Sequence, residues 1–393
     1  MPLPAFFRAF LAAMLLATLT ACGGTGPNTA PLASATPDDA LPAASFAQAG
    51  LDPAVWTAVL RDLEERHMLV DQIGLMVDGR LLATRHYGEH SETTLHDLRS
   101  ATKSVTSLLV GIAVDRGLVS SIDAPVDAWF PELTPHPSRA AWRPLTLRDL
   151  LTMRSGLDCD DWQDSAGNEE RMYLTRDWVR FFYGIPARQA PGSGFSYCTA
   201  GVVVLGEIVA RAARQSLPDF ARQALFEPLG IHNAVWADAG SGITDAGGHL
   251  RLSLSALLKL GELTRSGGLW QGRRIVSDAW VAQSIHSAGA MTPGGPLQSH
   301  MGWLWWLEPV RDGQARSWQA RGNGGQLIIV VPEFKLVMAV TGRAWNEPPQ
   351  VQWAPFGLLE RWLFPALRGA SPSGTPPTAL PNAPPFAPPF TPG

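Results

Sequence analysis

The chain has 393 residues, 46% of them hydrophobic and 17% charged. That supplies a large apolar core and excludes a globally disordered chain. The formal net charge is −4 and the arginines are scattered without a basic block, so nucleic acid is not an expected partner.

In chain order, residues 1–21 read as a targeting segment. Arg8 gives it a positive start, and 10–19 form an apolar run too short for a membrane span. The run ends in Leu19-Thr20-Ala21-Cys22, which resembles a bacterial lipoprotein lipobox. The resemblance implies cleavage before Cys22, acylation of that cysteine and attachment to a membrane surface. An ordinary secretory peptide cut nearby is the alternative. Gly23, in the position after the cysteine, is not acidic, which points to a periplasm-facing protein on the outer membrane. That leaves Cys159 and Cys198 in an oxidising compartment, where two cysteines read as a disulfide; two free buried thiols are the other reading.

Residues 22–44 are rich in Gly, Pro, Ala, Ser and Thr and read as a flexible tether, and 369–393 as a Pro-rich disordered tail. Between them, 45–368 form the expected domain. A helix is expected at 52–67, then a hairpin at 73–88 around Asp78-Gly79. His86 and His90 flank Glu89, but Gly88 puts them on a strand end or loop, which reads as solvated surface rather than a metal site. An apolar helix spans 100–116 and stops at Gly117. Further helices are expected at 145–155, 176–183, 199–214, 216–226 and 253–266. Strands follow at 303–309, 315–320, 326–332 and 335–342, with a turn at Pro332-Glu333, and a last helix at 354–363 packs on the sheet. Strands at both ends with helices between predict an α+β fold. Its sheet lobe takes in 45–116 and 280–368, and its inserted helical lobe 117–279.

Only three of the 31 basic residues are lysines, and one of them, Lys103, stands three residues after Ser100 at the head of the apolar helix. Helical spacing puts the two on one face, one turn apart. A serine hydroxyl is a poor nucleophile until a base takes its proton. A lysine serves as that base when desolvation lowers its pKa, and the helix N-terminus favours a developing alkoxide. The bland reading is a lysine snorkelling from a core helix. No Gly-x-Ser-x-Gly, His-Glu-x-x-His or Cys-x-x-Cys motif competes, and no metal or organic cofactor is expected.

The segment DLRSATKSVTSLLVGIAVDRG, residues 97–117, resembles the serine β-lactamase-like superfamily. That group holds class C β-lactamases, penicillin-binding D-alanyl carboxypeptidases, related esterases and nylon-oligomer hydrolases. LTLRDLLTMRSGL (145–157), PGSGFSYCTAGVVVLGEIVAR (191–211), residues 247–281, MGWLWW (301–306) and RGNGGQLIIVVPEFKLVMAV (321–340) resemble further family segments in the same order. The resemblance implies a β-lactamase/transpeptidase-like fold: an antiparallel sheet flanked by helices, with an inserted, mainly helical lobe.

Carried over residue by residue, the resemblance makes Ser100 the acylated nucleophile, Lys103 its base and Tyr197 the proton relay. It places the third motif at Asn323, Gly324 and Gly325, and the oxyanion hole at the backbone N–H groups of Ser100 and Gln326. Two positions depart from the pattern. Asn323 stands where a cation usually receives a carboxylate, and Thr199 stands at the third position of Tyr-x-Asn. Both favour esters or small amides over β-lactams and D-Ala-D-Ala peptides. Tyr173, Trp305, Trp306 and Thr199 are candidates to line the substrate site. Asp160 and Asp161 are candidates for a substrate amine or for helix capping. A Cys159–Cys198 bridge would tie the loop after the first helical block, which carries GLDCDDW (156–162), to the catalytic tyrosine. The expected protein is a lipid-anchored serine hydrolase acting on an ester, amide or peptide-like small molecule. A D-alanyl-D-alanine carboxypeptidase or β-lactamase, and a non-catalytic cell-wall-binding lipoprotein, are the alternatives.

Overall fold

A computed structural model of the chain describes residues 37–289, 291, 300–309 and 316–369. The targeting segment, Cys22 and the first part of the tether lie outside the described residues, as does the tail beyond Gly369.

The first helix, α1 (Ala54–Glu65), buries Val55, Ala58, Val59 and Leu63, the spacing of one helical face. It leads into the hairpin of β1 (Val70–Val77) and β2 (Arg80–His86). The turn joining them has φ of +50° at Asp78 and +74° at Gly79, the paired left-handed conformation that a two-residue hairpin turn demands. After a 3-10 turn at Arg99–Ala101 comes α2 (Thr102–Asp115), buried from Thr102 through Ala113. The middle of the chain supplies α3 (Leu147–Leu151), α4 (Glu169–Tyr173), α5 (Trp178–Gly184), α6 (Thr199–Ala213), α7 (Leu217–Ala221), α8 (Leu254–Arg265) and α9 (Asp278–Ser284). Strands then return as β3 (His300–Met301), β4 (Trp306–Pro309), β5 (Arg316–Gly322), β6 (Gln326–Val331) and β7 (Leu336–Gly342).

Among the described residues, seven strands form one sheet in the order β2-β1-β7-β6-β5-β4-β3. Each paired neighbour is antiparallel. The first strand after the N-terminal helix thus pairs with the last one of the chain, Ile73 opposite Val340. This closure explains why strand signals stand at both ends of the sequence. The sheet is covered on both faces, so β1, β6 and β7 are buried along their whole length. One face carries α1 and the helical turns at 356–367, around Ile73, Leu75, Ile329 and Met338. The other carries α2 and α8 around Met76, Ile328, Val330 and Val337, continuous with the core of the helical layers. The α8 helix comes from within 117–279 but lies on the sheet, where a Cβ at Gly261 would meet Val337 at 2.5 Å.

The α2 helix is the spine that all this surrounds. Two of its buried hydroxyls reach distant backbone: Ser104 donates to the Leu304 carbonyl at 2.7 Å and Thr106 to that of Ala246 at 2.7 Å. Gly111 lets the Trp280 indole of α9 lie against the helix; a Cβ there would meet that ring at 2.4 Å. Overpacking costs about 1–3 kcal/mol, against about 1 kcal/mol of helix propensity gained by alanine. Gly111→Ala is therefore expected to lower the thermal midpoint in calorimetry, and a midpoint that holds or rises would show a slack α2–α9 contact.

Candidate active site

Ser100 sits in the 3-10 turn that runs into α2, half-buried and just after Arg99, whose φ of +48° turns the chain sharply into the helix. One turn on, Lys103 is 2% exposed. Its Nζ donates to Ser100 Oγ at 3.0 Å and to the carbonyl of Gly247 at 2.7 Å. Tyr197 closes the group: its hydroxyl hydrogen-bonds with Ser100, and Lys103 Nζ lies 5.0 Å from its ring centroid. Three residues from segments nearly a hundred positions apart thus meet around one hydroxyl.

The charge state differs from the one expected from sequence, where desolvation lowers the lysine. Burial does work against the Lys103 ammonium. The Tyr197 oxygen and the carboxylates of Glu169, Asp161 and Asp245 outweigh it and hold the lysine above its ordinary value. Burial also pushes the Tyr197 phenol up, against the pull of Lys103 and of the Ser100 hydrogen bond. Both groups are thus held above their ordinary values as one coupled pair.

The α6 N-terminus is where the acids gather. Thr199 N–H donates to Asp161 Oδ2 at 2.7 Å, and its hydroxyl donates to Glu169 Oε2 at 2.9 Å. Asp161 Oδ1 also accepts Glu169 N–H at 3.0 Å, and Asp161 N–H donates to the Tyr197 carbonyl at 2.8 Å. Asp161 therefore caps two helices with one carboxylate. Burial, reinforced by the Glu169 charge, pushes its pKa up to about 7, against Lys103 and the Thr199 hydrogen bonds. Asp160 only braces its own loop, accepting Trp162 N–H at 3.0 Å.

The sulfurs of Cys159 and Cys198 are joined at 2.01 Å, both residues buried. The bridge fixes the loop bearing Asp161 and Trp162 to the segment bearing Tyr197. Trp162, unmarked in the sequence, stacks flat on the Tyr197 ring at 4.7 Å and 10°. Trp306 tilts against both at 6.2 and 6.0 Å. Tyr173 is half-exposed, edge-on to His249.

Several expected positions are corrected. Trp305 is 1% exposed, a core residue rather than a wall of the site. Thr199 is fully buried, its hydroxyl committed to Glu169, so it lines nothing. The turn at Asn323, Gly324 and Gly325 packs on the C-terminal segment: Asn323 exchanges hydrogen bonds with Asn346, and a Cβ at Gly324 would strike Trp345 at 2.3 Å. Gln326 is fully buried, its side chain bonding both backbone groups of Gly342. The backbone that abuts the nucleophile's turn belongs to Gly322 at the end of β5, where a Cβ would meet the Leu98 carbonyl at 2.0 Å and Ala101 N at 3.1 Å. The family's glycine-for-close-approach logic holds, displaced to the other arm of the hairpin.

The geometry agrees with what the chain resembles. The Beta-lactamase family model matches residues 56–356. The 6-aminohexanoate-dimer hydrolase of Paenarthrobacter ureafaciens is 25% identical over 316 residues, 75% of this chain and 78% of that one. Esterase EstB of Burkholderia gladioli is 32% identical over 169 residues, 40% of this chain and only 43% of the esterase. The octameric penicillin-binding protein homologue from Pyrococcus abyssi superposes with a TM-score of 0.62 at 21% identity, covering 82% of this chain and 79% of its own.

The chain-entropy model gives a 39-residue separation about 4 kcal/mol of disulfide stabilisation. The Cys159→Ser/Cys198→Ser double variant is expected to lose about 2–4 kcal/mol in urea unfolding, and a wild-type midpoint would show that the loop is held by its hydrogen bonds alone.

Proposed function

The chain belongs to the beta-lactamase family, a serine hydrolase superfamily whose similar members here include an esterase and an amide hydrolase, and on that premise we propose that it hydrolyses carboxylic esters or small amides through an acyl-enzyme on Ser100. The observation that carries the reading is the 3.0 Å contact of Lys103 Nζ with Ser100 Oγ under the Tyr197 ring. A serine held by a lysine and a tyrosine is arranged for acylation, which favours the hydrolase over a non-covalent binding protein.

In this reading one proton first leaves the Lys103–Tyr197 pair. Ser100 Oγ then attacks the substrate carbonyl and passes its proton to the vacated position. The negative charge that develops on the carbonyl oxygen meets the Ser100 N–H at the head of α2 and an N–H from the end of β5. The bond to the leaving alcohol or amine breaks as Tyr197 protonates it. Water repeats the sequence on the acyl carbon and frees Ser100. The aromatic group of Trp162 and Trp306 around Tyr197 offers apolar walls to an uncharged substrate. A β-lactam or D-Ala-D-Ala peptide brings a carboxylate, which the acids facing Lys103 (Glu169, Asp161 and Asp245) oppose.

Intact mass of the purified protein after mixing with p-nitrophenyl butyrate is expected to show a transient butyryl adduct with nitrophenol release. Ser100→Ala should lose both, and turnover surviving in that variant sinks the proposal. The pH dependence follows from the charge state. Both members of the pair are held protonated above their ordinary values, so kcat/KM should rise with pH along an alkaline limb that belongs to the pair jointly. A profile flat from neutral into alkaline pH would mean that the pair already lacks a proton at rest.

A further inference from the structure

The turn at 244–249 carries a carboxylate that the reaction above does not use. Asp245 is 1% exposed, and a carboxylate taken out of water is costly unless hydrogen-bonded and paired. Its two oxygens have separate duties. Oδ1 accepts the N–H of Gly247 at 3.1 Å, and Oδ2 accepts the hydroxyl of Tyr173 at 3.1 Å. The same turn is pinned from outside, since Trp236 Nε1–H donates to the Asp245 carbonyl and Thr106 to that of Ala246, both at 2.7 Å. It cannot slide toward α6, because a Cβ at Gly247 would already meet Thr199 Cγ2 at 2.5 Å. What this clamped turn presents to the site is the Gly247 carbonyl, which accepts the second hydrogen bond of Lys103 at 2.7 Å.

The charges around it close the set. Asp245 faces Lys103, His249, Glu169 and Tyr173, and His249 is itself bonded to Asp97 at 2.8 Å. Lys103 in turn faces Tyr197, Glu169, Asp161 and Asp245. Asp245 is thus joined to the lysine through one hydrogen-bonded backbone step and through its charge.

We propose that Asp245 is a positioning residue whose single carboxylate holds the Gly247 carbonyl where it aims Lys103 at Ser100 and, with its other oxygen, fixes the Tyr173 ring beside the substrate. The inference rests on the serine-hydrolase reading and deepens it. Two effects separate this role from plain structural support. Removing the negative charge beside the ammonium makes the Lys103–Tyr197 pair release its proton at lower pH. Releasing Tyr173 loosens substrate binding without touching the pair.

The test is the pH profile of kcat and kcat/KM with p-nitrophenyl butyrate for the wild type, Asp245→Asn and Tyr173→Phe, with fluorophosphonate labelling of Ser100 in each. Asp245→Asn is expected to lower kcat about 10- to 100-fold, as small misplacements of a catalytic group do, and to move the alkaline limb to lower pH. Tyr173→Phe is expected to raise KM several-fold while keeping the wild-type limb. An Asp245→Asn protein that keeps the wild-type rate and limb, or loses rate with its limb unmoved, overturns the proposal. Should its thermal midpoint show that Asp245→Asn does not fold, Tyr173→Phe decides, and a wild-type KM overturns it. A wild type that neither labels nor turns over the ester fails the hydrolase reading itself and takes this proposal with it; an active wild type with an indifferent Asp245 fails the proposal alone.

Discussion

The structure is organised around one buried cation. Lys103 is held in an apolar helix with its ammonium against a serine hydroxyl and a backbone carbonyl. An ammonium in that position is tolerable only if hydrogen bonds and opposite charge replace the water it has lost. Glu169, Asp161 and Asp245 supply the charge, and they arrive from two separate stretches of the chain, 161–169 and the turn at 245. The helical lobe must therefore be complete before the lysine is stable in place. The groups that make Ser100 approachable and those that hold the helices together are largely the same.

That dependence explains the bracing. Asp161 caps α4 and α6 together, Thr199 ties it to Glu169, and the Cys159–Cys198 bridge locks the loop beneath them. In a set of charges this close, a displacement changes protonation as well as distance. Rigidity here sets the chemistry of the pair as well as its geometry. Trp162 contributes in the same way: stacked flat on Tyr197, it keeps the phenol dry, and burial is the first cause of that phenol's raised pKa.

Much of this could be read from the chain, because local rules govern it. The Asp78-Gly79 turn, the all-buried α2 with Ser100 and Lys103 one turn apart, and the late run of strands follow from spacing and turn chemistry. The pairing of β1 with β7 and the two covered faces follow from strands at both ends. What could not be read depends on tertiary context. Nothing local separates Trp305, sunk in the core, from Trp306, which packs on Tyr197, although the two are neighbours in the chain. Gly322 and Gly325 look equivalent until one arm of the hairpin is seen to press on the nucleophile's turn. The lysine's burial shows in sequence, whereas the carboxylates that counter it and reverse the direction of its pKa shift come together only in the fold.

Charge also bears on the choice of substrate. The acids that face the lysine beside Ser100 are Glu169, Asp161 and Asp245. Two unit charges about 8 Å apart at an effective dielectric of about 20 interact by roughly 2 kcal/mol. Each ionised acid that faces an incoming carboxylate thus opposes it by an amount comparable to a tenfold or greater loss in binding. The Lys103 ammonium, hydrogen-bonded to the neutral acceptors of Ser100 and Gly247, keeps its charge and offsets part of that repulsion. A neutral ester escapes the penalty and still gains the aromatic walls. The preference proposed above for uncharged esters and small amides rests on this balance of one ammonium against three acids.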